Sequence, residues 1–194
     1  MPILDLHPST SAWPDLQDIG MRHVLRCWAD WRQPSAPGGR MPPRRRDIDP
    51  VMLRHCLPNI WIFRLDPDLQ NAYLTLTGEE IRFHWGSNIM GKSVFELWGN
   101  EQAGRTSLDT LVHCATVPAV IHGRPQDRNP GDRSHGKRAE RLLLPLAHDD
   151  GSPYGVLGYS LFWHEGTGEG MARPRQTNIM QAYPLSRLPD VIPL

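Results

Sequence analysis

The first regular pattern in the chain is a set of apolar residues at helical spacing between residues 15 and 32. Positions three, four and seven residues apart fall on one face of a helix, so this pattern predicts an amphipathic leading helix. Pro14 suits the first turn of such a helix. The apolar positions are Met21, Val24, Leu25, Trp28 and Trp31.

Proline and glycine interrupt the pattern after this helix. Residues 33–43 contain four prolines and two glycines, which favour neither helix nor strand, so a loop is expected there. Asp49 then suits an N-cap and Pro50 the first turn of a helix. These two residues predict a short helix that ends near Leu57, where Pro58 follows.

Alternating apolar residues over short stretches predict strands in the rest of the chain. The predicted strands are residues 59–65, 72–77, 118–123, 139–147 and 154–163. Between the second and third strands the pattern predicts a helix at 79–85, a short segment at 91–97 and a longer helix at 101–116. Residues 124–138 are polar and predict an exposed loop, and residues after Glu165 show no period.

Composition and charge exclude several classes of protein. The 194 residues are 39% hydrophobic, and 21 Lys and Arg balance 21 Asp and Glu, so a nucleic-acid partner is not predicted. No apolar run approaches the ~20 residues of a membrane-spanning helix, and the N-terminus lacks the pattern of a signal peptide. Three cysteines without a Cys-x-x-Cys motif favour reduced thiols in a cytoplasmic protein.

The order of elements predicts the fold class. Two strands, several short helices, one longer helix and three further strands indicate an α+β fold with a five-stranded antiparallel sheet. Short helices are expected over one face of the sheet, with the amphipathic helix preceding it. The predicted divisions are an N-terminal extension (1–14), a helical segment with a Pro/Arg-rich loop (15–57), a domain at 58–164 and a flexible tail (165–194).

Several short motifs, taken in order, point to a family over roughly residues 24–163. They are Asp47-Ile48-Asp49-Pro50, Leu57-Pro58-Asn59-Ile60, Tyr73-Leu74-Thr75-Leu76-Thr77-Gly78, the 86–91 stretch, Leu143-Leu144-Pro145-Leu146 and Gly155-Val156-Leu157-Gly158. With the leading helix, their order and spacing resemble the small alphaproteobacterial family of stand-alone PAS-type domains. The resemblance implies a PAS-like sheet whose helices fold over one face to make a pocket.

The resemblance also implies a function. PAS-like modules of this kind are non-enzymatic sensory or regulatory proteins that act through protein contacts in signalling pathways. We therefore expect a cytoplasmic bacterial regulator without catalytic residues, cofactor or bound metal, whose pocket can take a small ligand. The residues expected to line that pocket are Trp61, Phe63, Leu74, Leu76, Leu142, Leu144, Leu157 and Tyr159.

The leading helix is the expected contact surface. Met21, Val24, Trp28 and Trp31 form an apolar stripe along it. A sheet of this size is not expected to cover the whole apolar surface of that stripe. The chain contains no kinase, cyclase or helix-turn-helix sequence, so a signal would pass to a partner. A homodimer or a helix-mediated complex with another protein is therefore predicted.

Two other functions stay open from the sequence. A haem-type gas or redox sensor would use a histidine on the long helix, and His113 lies there, although close to the C-terminal end. A small-substrate enzyme would use the same pocket, but strands dominated by Leu, Trp and Phe offer no convergent acid and base.

Three smaller clusters have competing interpretations. His23, Cys27 and Asp30 share one helical face, where a solvated flank is favoured over a metal site. The Arg44-Arg45-Arg46 cluster is interpreted as pairing with acidic residues rather than binding phosphate. The Gly-rich 166–170 stretch lacks the Lys-Ser/Thr of a phosphate loop and is interpreted as a linker.

Overall fold

The computed structural model describes residues 6–9, 11, 13–35, 39–125, 137–164 and 178–188. The strands in these residues are β1 (Leu6–Pro8), β2 (Gln33–Ser35), β3 (Gly39–Met41), β4 (Ile60–Leu65), β5 (Ala72–Thr77), β6 (Ala119–Pro125), β7 (Lys137–Ala147), β8 (Pro153–His164) and β9 (Asn178–Pro184). The α-helices are α1 (Ile19–Asp30), α2 (Glu79–Trp85), α3 (Val94–Trp98) and α4 (Glu101–Thr116). Short 3-10 turns occupy Arg45–Asp47, Leu57–Asn59 and Leu185–Arg187.

One large sheet forms the centre of the fold. Its strand order is β1-β9-β6-β7-β8-β4-β5, and every neighbouring pair is antiparallel except β1 with β9. The five strands predicted from alternation are the adjacent strands β6, β7, β8, β4 and β5, so the α+β prediction with an antiparallel sheet is confirmed.

Helix α1 packs against one face of this sheet. It begins later than predicted, at Ile19, because the Asp18 carboxylate accepts a hydrogen bond of 2.7 Å from the Met21 amide and so caps the helix. Pro14 therefore lies before the helix and not in its first turn. The apolar side of α1 meets Leu142, Leu144 and neighbouring residues of the sheet in one continuous core.

The predicted contact stripe on α1 is part of this core. Met21, Val24 and Trp28 are 0% exposed within the single chain, and Trp31 is half-buried against the same cluster. The prediction of an interface at these residues is therefore wrong. Helices cover both faces of the sheet, and α1 is the helix that covers the face containing Leu142 and Leu144. A partner that approached α1 would meet its polar side.

Helices α2, α3 and α4 cover the opposite face. Ser93 caps α3 by accepting a hydrogen bond from the Glu96 amide at 3.2 Å, while the Glu96 carboxylate accepts one from the Ser93 amide at 2.7 Å. Helix α4 has the bounds predicted from the sequence. Its buried residues, including Leu108 and Leu111, join Ile81 and Leu97 in a second core that is separated from the first by the sheet.

Two predictions between α1 and the sheet are wrong. The predicted loop contains a small antiparallel hairpin in which β2 pairs with β3. The predicted short helix is a series of turns. The Asp49 carboxylate accepts a hydrogen bond from the Val51 amide only, at 2.8 Å, and most of the backbone hydrogen bonds that follow join residues three apart rather than four.

The C-terminal region is not entirely a tail. Strand β9 pairs with β6 over seven residues, and Ala182 and Tyr183 are buried. The prediction of a flexible segment over 165–194 is therefore wrong for residues 178–188. The exposed loop predicted over 124–138 is wrong at both ends, because residues 124–125 belong to β6 and residues 137–138 to β7. The rest of that loop and the 166–170 linker lie outside the described residues. No helix in the described part of the chain is both long and apolar enough to span a bilayer.

Candidate functional site

A cavity of about 280 Å³ lies between the sheet and the layer formed by α2, α3 and α4. Side chains from β4, β5, β7, β8, β9 and the three helices surround it. The lining residues are Trp61, Phe63, Leu74, Ile81, Trp85, Ile89, Val94, Leu97, Trp98, Thr106, Ser107, Thr110, Leu111, Arg141, Leu143, Ser160 and Met180. The lining is mostly apolar, with a few polar groups on α4, β7 and β8, which is the usual character of a small-molecule site.

Aromatic rings form two sides of the cavity. Trp61 and Phe63 on β4 meet edge to face, with their ring centroids 5.5 Å apart. Trp85 at the end of α2 and Trp98 at the end of α3 make a similar contact at 4.8 Å. Such edge-to-face pairs hold each other in place, so the rings form a fixed apolar surface.

Three of the eight predicted pocket residues line the cavity, namely Trp61, Phe63 and Leu74. The other five belong to the core under α1, on the opposite face of the sheet. They are Leu76, Leu142, Leu144, Leu157 and Tyr159. The prediction is wrong for these five residues.

The reasons for this error differ between the strands. On β7 and β8 the alternation is regular, so Leu142, Leu144, Leu157 and Tyr159 do share one face, but α1 covers that face. On β5 the pairing with β4 shifts register between Ile62 and Phe63. This irregularity places Leu76 on the α1 side although Leu74, two residues earlier, lines the cavity.

The polar part of the lining includes two neighbouring strands. Arg141 on β7 pairs across the sheet with Ser160 on β8. The Ser160 hydroxyl accepts a 2.9 Å hydrogen bond from the indole nitrogen of Trp61, and it donates to none of the described residues. On α4, the hydroxyl groups of Thr106 and Thr110 donate to the carbonyl oxygens of Gln102 and Thr106, at 3.0 and 2.8 Å.

The guanidinium of Arg141 is the main charge at the cavity. Its Nη2 atom is shielded from solvent and has no hydrogen-bond partner among the described residues. Burial lowers the pKa of Arg141 to about 10, so the group remains protonated at neutral pH. Arg141 as a whole is half-buried, but a donor atom that is shielded from solvent and left without an acceptor is unfavourable.

Sequence reasoning missed Arg141, although the sequence holds a signal for it. Residues 142–144 are three leucines, and Arg141 directly precedes them on the same strand. A charged residue on a strand that is covered on both faces must point into a core or a cavity. The helical lining residues, such as Trp85 and Trp98, carry no comparable signal, because their apolar character fits an ordinary core equally well.

The cavity does not favour the haem alternative. His113 lies in the last turn of α4 and is not one of the described lining residues, none of which is a histidine or cysteine. An axial imidazole or thiolate ligand is therefore missing from this lining.

The His23, Cys27 and Asp30 set on α1, for which the sequence favours a solvated flank over a metal site, makes other contacts. Nε2 of His23 lies 2.8 Å from the carbonyl oxygen of Met52, a contact in which the ring nitrogen must be the donor. Cys27 is buried rather than part of a solvated flank, and burial raises the pKa of its thiol. No group of metal-binding side chains occurs among the residues that the structure describes.

Two members of the arginine cluster, Arg44 and Arg46, pair with acidic residues. Arg44 makes a two-pronged contact with Asp47, with nitrogen–oxygen distances of 2.8 and 3.0 Å, and Arg46 lies 3.0 Å from Asp149. The backbone beside Arg44 bonds to the end of β7, where the Ala147 amide donates to the Pro43 carbonyl at 3.0 Å. These contacts attach the segment to the sheet.

Comparison with known proteins gives one match. The family model described as PAS domain matches residues 20–161, which extend from the first turn of α1 into β8. No curated protein and no solved structure matches the chain. The matched region contains the cavity-lining strands and helices apart from β9.

Proposed function

Because the chain belongs to the PAS domain family, we propose that it is a sensory module that binds a small ligand in the cavity and reports it to a protein partner. The narrower assignment, a stand-alone cytoplasmic regulator of the small alphaproteobacterial group, is part of the same proposal. The observation that carries the proposal is the apolar cavity of about 280 Å³ under α2, α3 and α4.

The chemistry of the lining supports binding over catalysis. Ser160 is the buried hydroxyl next to Arg141, but the described lining residues include no histidine, aspartate or glutamate. A serine nucleophile needs a neighbouring base to remove its proton. A non-enzymatic role is therefore the better account of these residues.

The sheet offers a route from the cavity to the surface. Leu143 on β7 lines the cavity, while the adjacent Leu142 and Leu144 pack under α1. A ligand that shifts β7 would therefore also shift the base on which α1 rests. We propose that the bound state is read by the partner through this change at α1.

A ligand screen with a cavity-filling variant tests this proposal. Metabolites are screened by thermal shift, and each hit is repeated on Leu111→Phe, which adds volume at a lining residue that is 4% exposed. A cavity ligand should raise the melting temperature of the wild type and have little effect on this variant. Hydrogen exchange in α1 should change when the same ligand is added.

The matched control is Val117→Phe, the same residue type introduced at an exposed position after α4. This variant should respond to the ligand as the wild type does. Hits that stabilise Leu111→Phe as strongly as the wild type would place binding outside the cavity and contradict the proposal. Hits that leave the exchange of α1 unchanged would contradict the proposed signal route.

A further inference from the structure

We propose that the cavity selects a small organic monocarboxylate, held at its carboxylate by Arg141 and Ser160 and at its apolar end by the aromatic rings. This inference rests on the proposed ligand-binding function and names the ligand class. Arg141 lies between two neighbouring strands in the sheet. Ser160 is its cross-strand partner on β8, and Gly123, which has no side chain, is its partner on β6.

These two residues supply hydrogen-bond donors without acceptors. Nη2 of Arg141 is buried and unpaired, and the Ser160 hydroxyl donates to none of the described residues. A carboxylate placed between them would accept from both, and a charge-assisted hydrogen bond is stronger than a neutral one. A neutral ligand compensates the guanidinium charge less well, and a cationic ligand is repelled.

No acid competes for this site among the described lining residues. Glu140 precedes Arg141 on β7, but its side chain contacts His122, with 2.6 Å between Oε1 and Nε2. Successive residues of a strand point to opposite faces, so this carboxylate and the Arg141 guanidinium lie on different sides of the sheet. The described lining residues therefore carry a net positive charge.

The rest of the lining limits the ligand to one charge. Away from Arg141 the walls include Trp85, Trp98, Leu97 and Val94, which offer no cation to a second carboxylate. A volume of about 280 Å³ is close to the lower end of known ligand pockets, which span about 300–1,000 Å³. A single aromatic ring or a short aliphatic chain with one carboxylate suits both limits.

Matched pairs of probes test the inference by calorimetry and thermal shift. The probes are benzoate, phenylacetate, 3-phenylpropanoate and hexanoate, each compared with its neutral amide. We expect at least one carboxylate to bind the wild type about ten- to a hundredfold more tightly than its amide, the range typical of a bond to a charged group. Arg141→Met should abolish this preference, because methionine keeps an apolar stem without the charge.

Arg105→Met is the control. Arg105 lies exposed on α4, with its guanidinium 5.4 Å from the Phe95 ring centroid, and it does not line the cavity. The carboxylate preference should survive in this variant. Without ligand, Arg141→Met should be as stable as the wild type or more stable, because it removes a charged donor that is shielded from solvent and has no acceptor among the described residues.

Three results would overturn the inference. The first is failure of every carboxylate to shift the melting temperature of the wild type. The second is equal binding of carboxylate and amide with Leu111→Phe blocking both, in which case the ligand-binding function stands and the anion preference falls. The third is a loss of stability in ligand-free Arg141→Met, which would show that the guanidinium has a structural partner.

Discussion

The indole nitrogen of Trp28 donates a hydrogen bond of 2.9 Å to the carbonyl oxygen of Pro145. This bond joins the last turn of α1 to β7, and Trp28 is 0% exposed. The same strand presents Arg141 and Leu143 to the cavity on its other face. Trp28 therefore belongs to the core that supports the candidate site, and it is not a surface anchor.

Replacement of Trp28 measures this contribution. Trp28→Ala should lower the free energy of unfolding by about 3–5 kcal/mol, because it leaves a cavity and an unpaired carbonyl oxygen. Trp28→Phe should cost less, since it retains most of the apolar contact. Denaturant unfolding gives both values, and Ile19→Ala, at a residue 76% exposed, should stay within about 0.5 kcal/mol of the wild type. A small effect at Trp28 would show that α1 is not docked on the sheet.

The local elements were largely predictable from the sequence. Strand β5 and helices α2 and α4 have the predicted bounds, because their apolar residues repeat at the period of one element and a glycine or an asparagine marks the boundary. Gly78 precedes α2, and Asn100 caps α4 by accepting a bond from the Ala103 amide at 3.1 Å.

The placement of faces was less predictable. Alternation shows that Leu142 and Leu144 share a face, but it does not show which layer covers that face. Because the apolar sides of helices cover both faces of this sheet, the residues on the two faces of β7 are similarly apolar. The register shift opposite Phe63 has no sequence signal that separates Leu74 from Leu76. Arg141 marked the cavity face, but the adjacent Glu140 is charged as well and lies on the opposite face, so charge alone could not tell the two faces apart.

The second prediction concerns strand β9, whose sequence shows little alternation. Tyr183 is 3% exposed and packs in the core under α1, so Tyr183→Ala should lower the free energy of unfolding by about 3 kcal/mol. A chain that ends at Glu165 should lose many degrees of melting temperature, since the paired edge of β6 and the buried Val120 become exposed. Calorimetry measures both effects.

Ser186→Ala is the control for this prediction, because Ser186 lies exposed just after β9. It should leave the melting temperature nearly unchanged. A truncated chain as stable as the full one would mean that β9 contributes no net stability. The point variant Tyr183→Ala keeps the test informative if the truncated chain does not fold.

The third prediction concerns the pH dependence of the Arg44–Asp47 pair. Hydrogen bonds from Arg44 lower the pKa of the Asp47 carboxyl group below its usual value. A carboxyl group whose pKa is lower in the folded state stabilises the protein above its unfolded pKa of about 4, and this contribution is lost as the pH falls through the folded-state pKa. Asp47→Asn should therefore be less stable than the wild type at pH 7, by up to about 1 kcal/mol.

The difference between Asp47→Asn and the wild type should shrink as the pH falls below about 4, which urea unfolding at several pH values measures. Asp149→Asn is the control, because Asp149 faces Arg46 with both side chains more than half exposed, at 63% and 60%. This variant should show little difference at any pH. A constant offset for Asp47→Asn down to pH 3 would contradict the assigned role of the ion pair.

The fourth prediction links a glycine on β8 to the aromatic wall of the cavity. Gly158 pairs with Trp61 across the sheet, and a Cβ atom at Gly158 would lie 2.0 Å from two atoms of the indole ring. Gly158→Ala should therefore displace the indole, break its bond to Ser160 and lower the free energy of unfolding by about 1–3 kcal/mol. The fluorescence emission of tryptophan should also change, because the indole of Trp61 is displaced.

The double variant decides whether this cost comes from the indole. In Gly158→Ala/Trp61→Ala the added methyl group enters the space that the indole has left, so the combined loss should be smaller than the sum of the single losses, by about 0.5–3 kcal/mol. Gly20→Ala provides the control cycle, because its Cβ would meet the Tyr159 hydroxyl at 2.5 Å on the opposite face of the sheet. Its cost should add to that of Trp61→Ala. Additivity in the Gly158 cycle as well would mean that the cost of the methyl group does not arise at Trp61, and the wall of the cavity would then be formed differently.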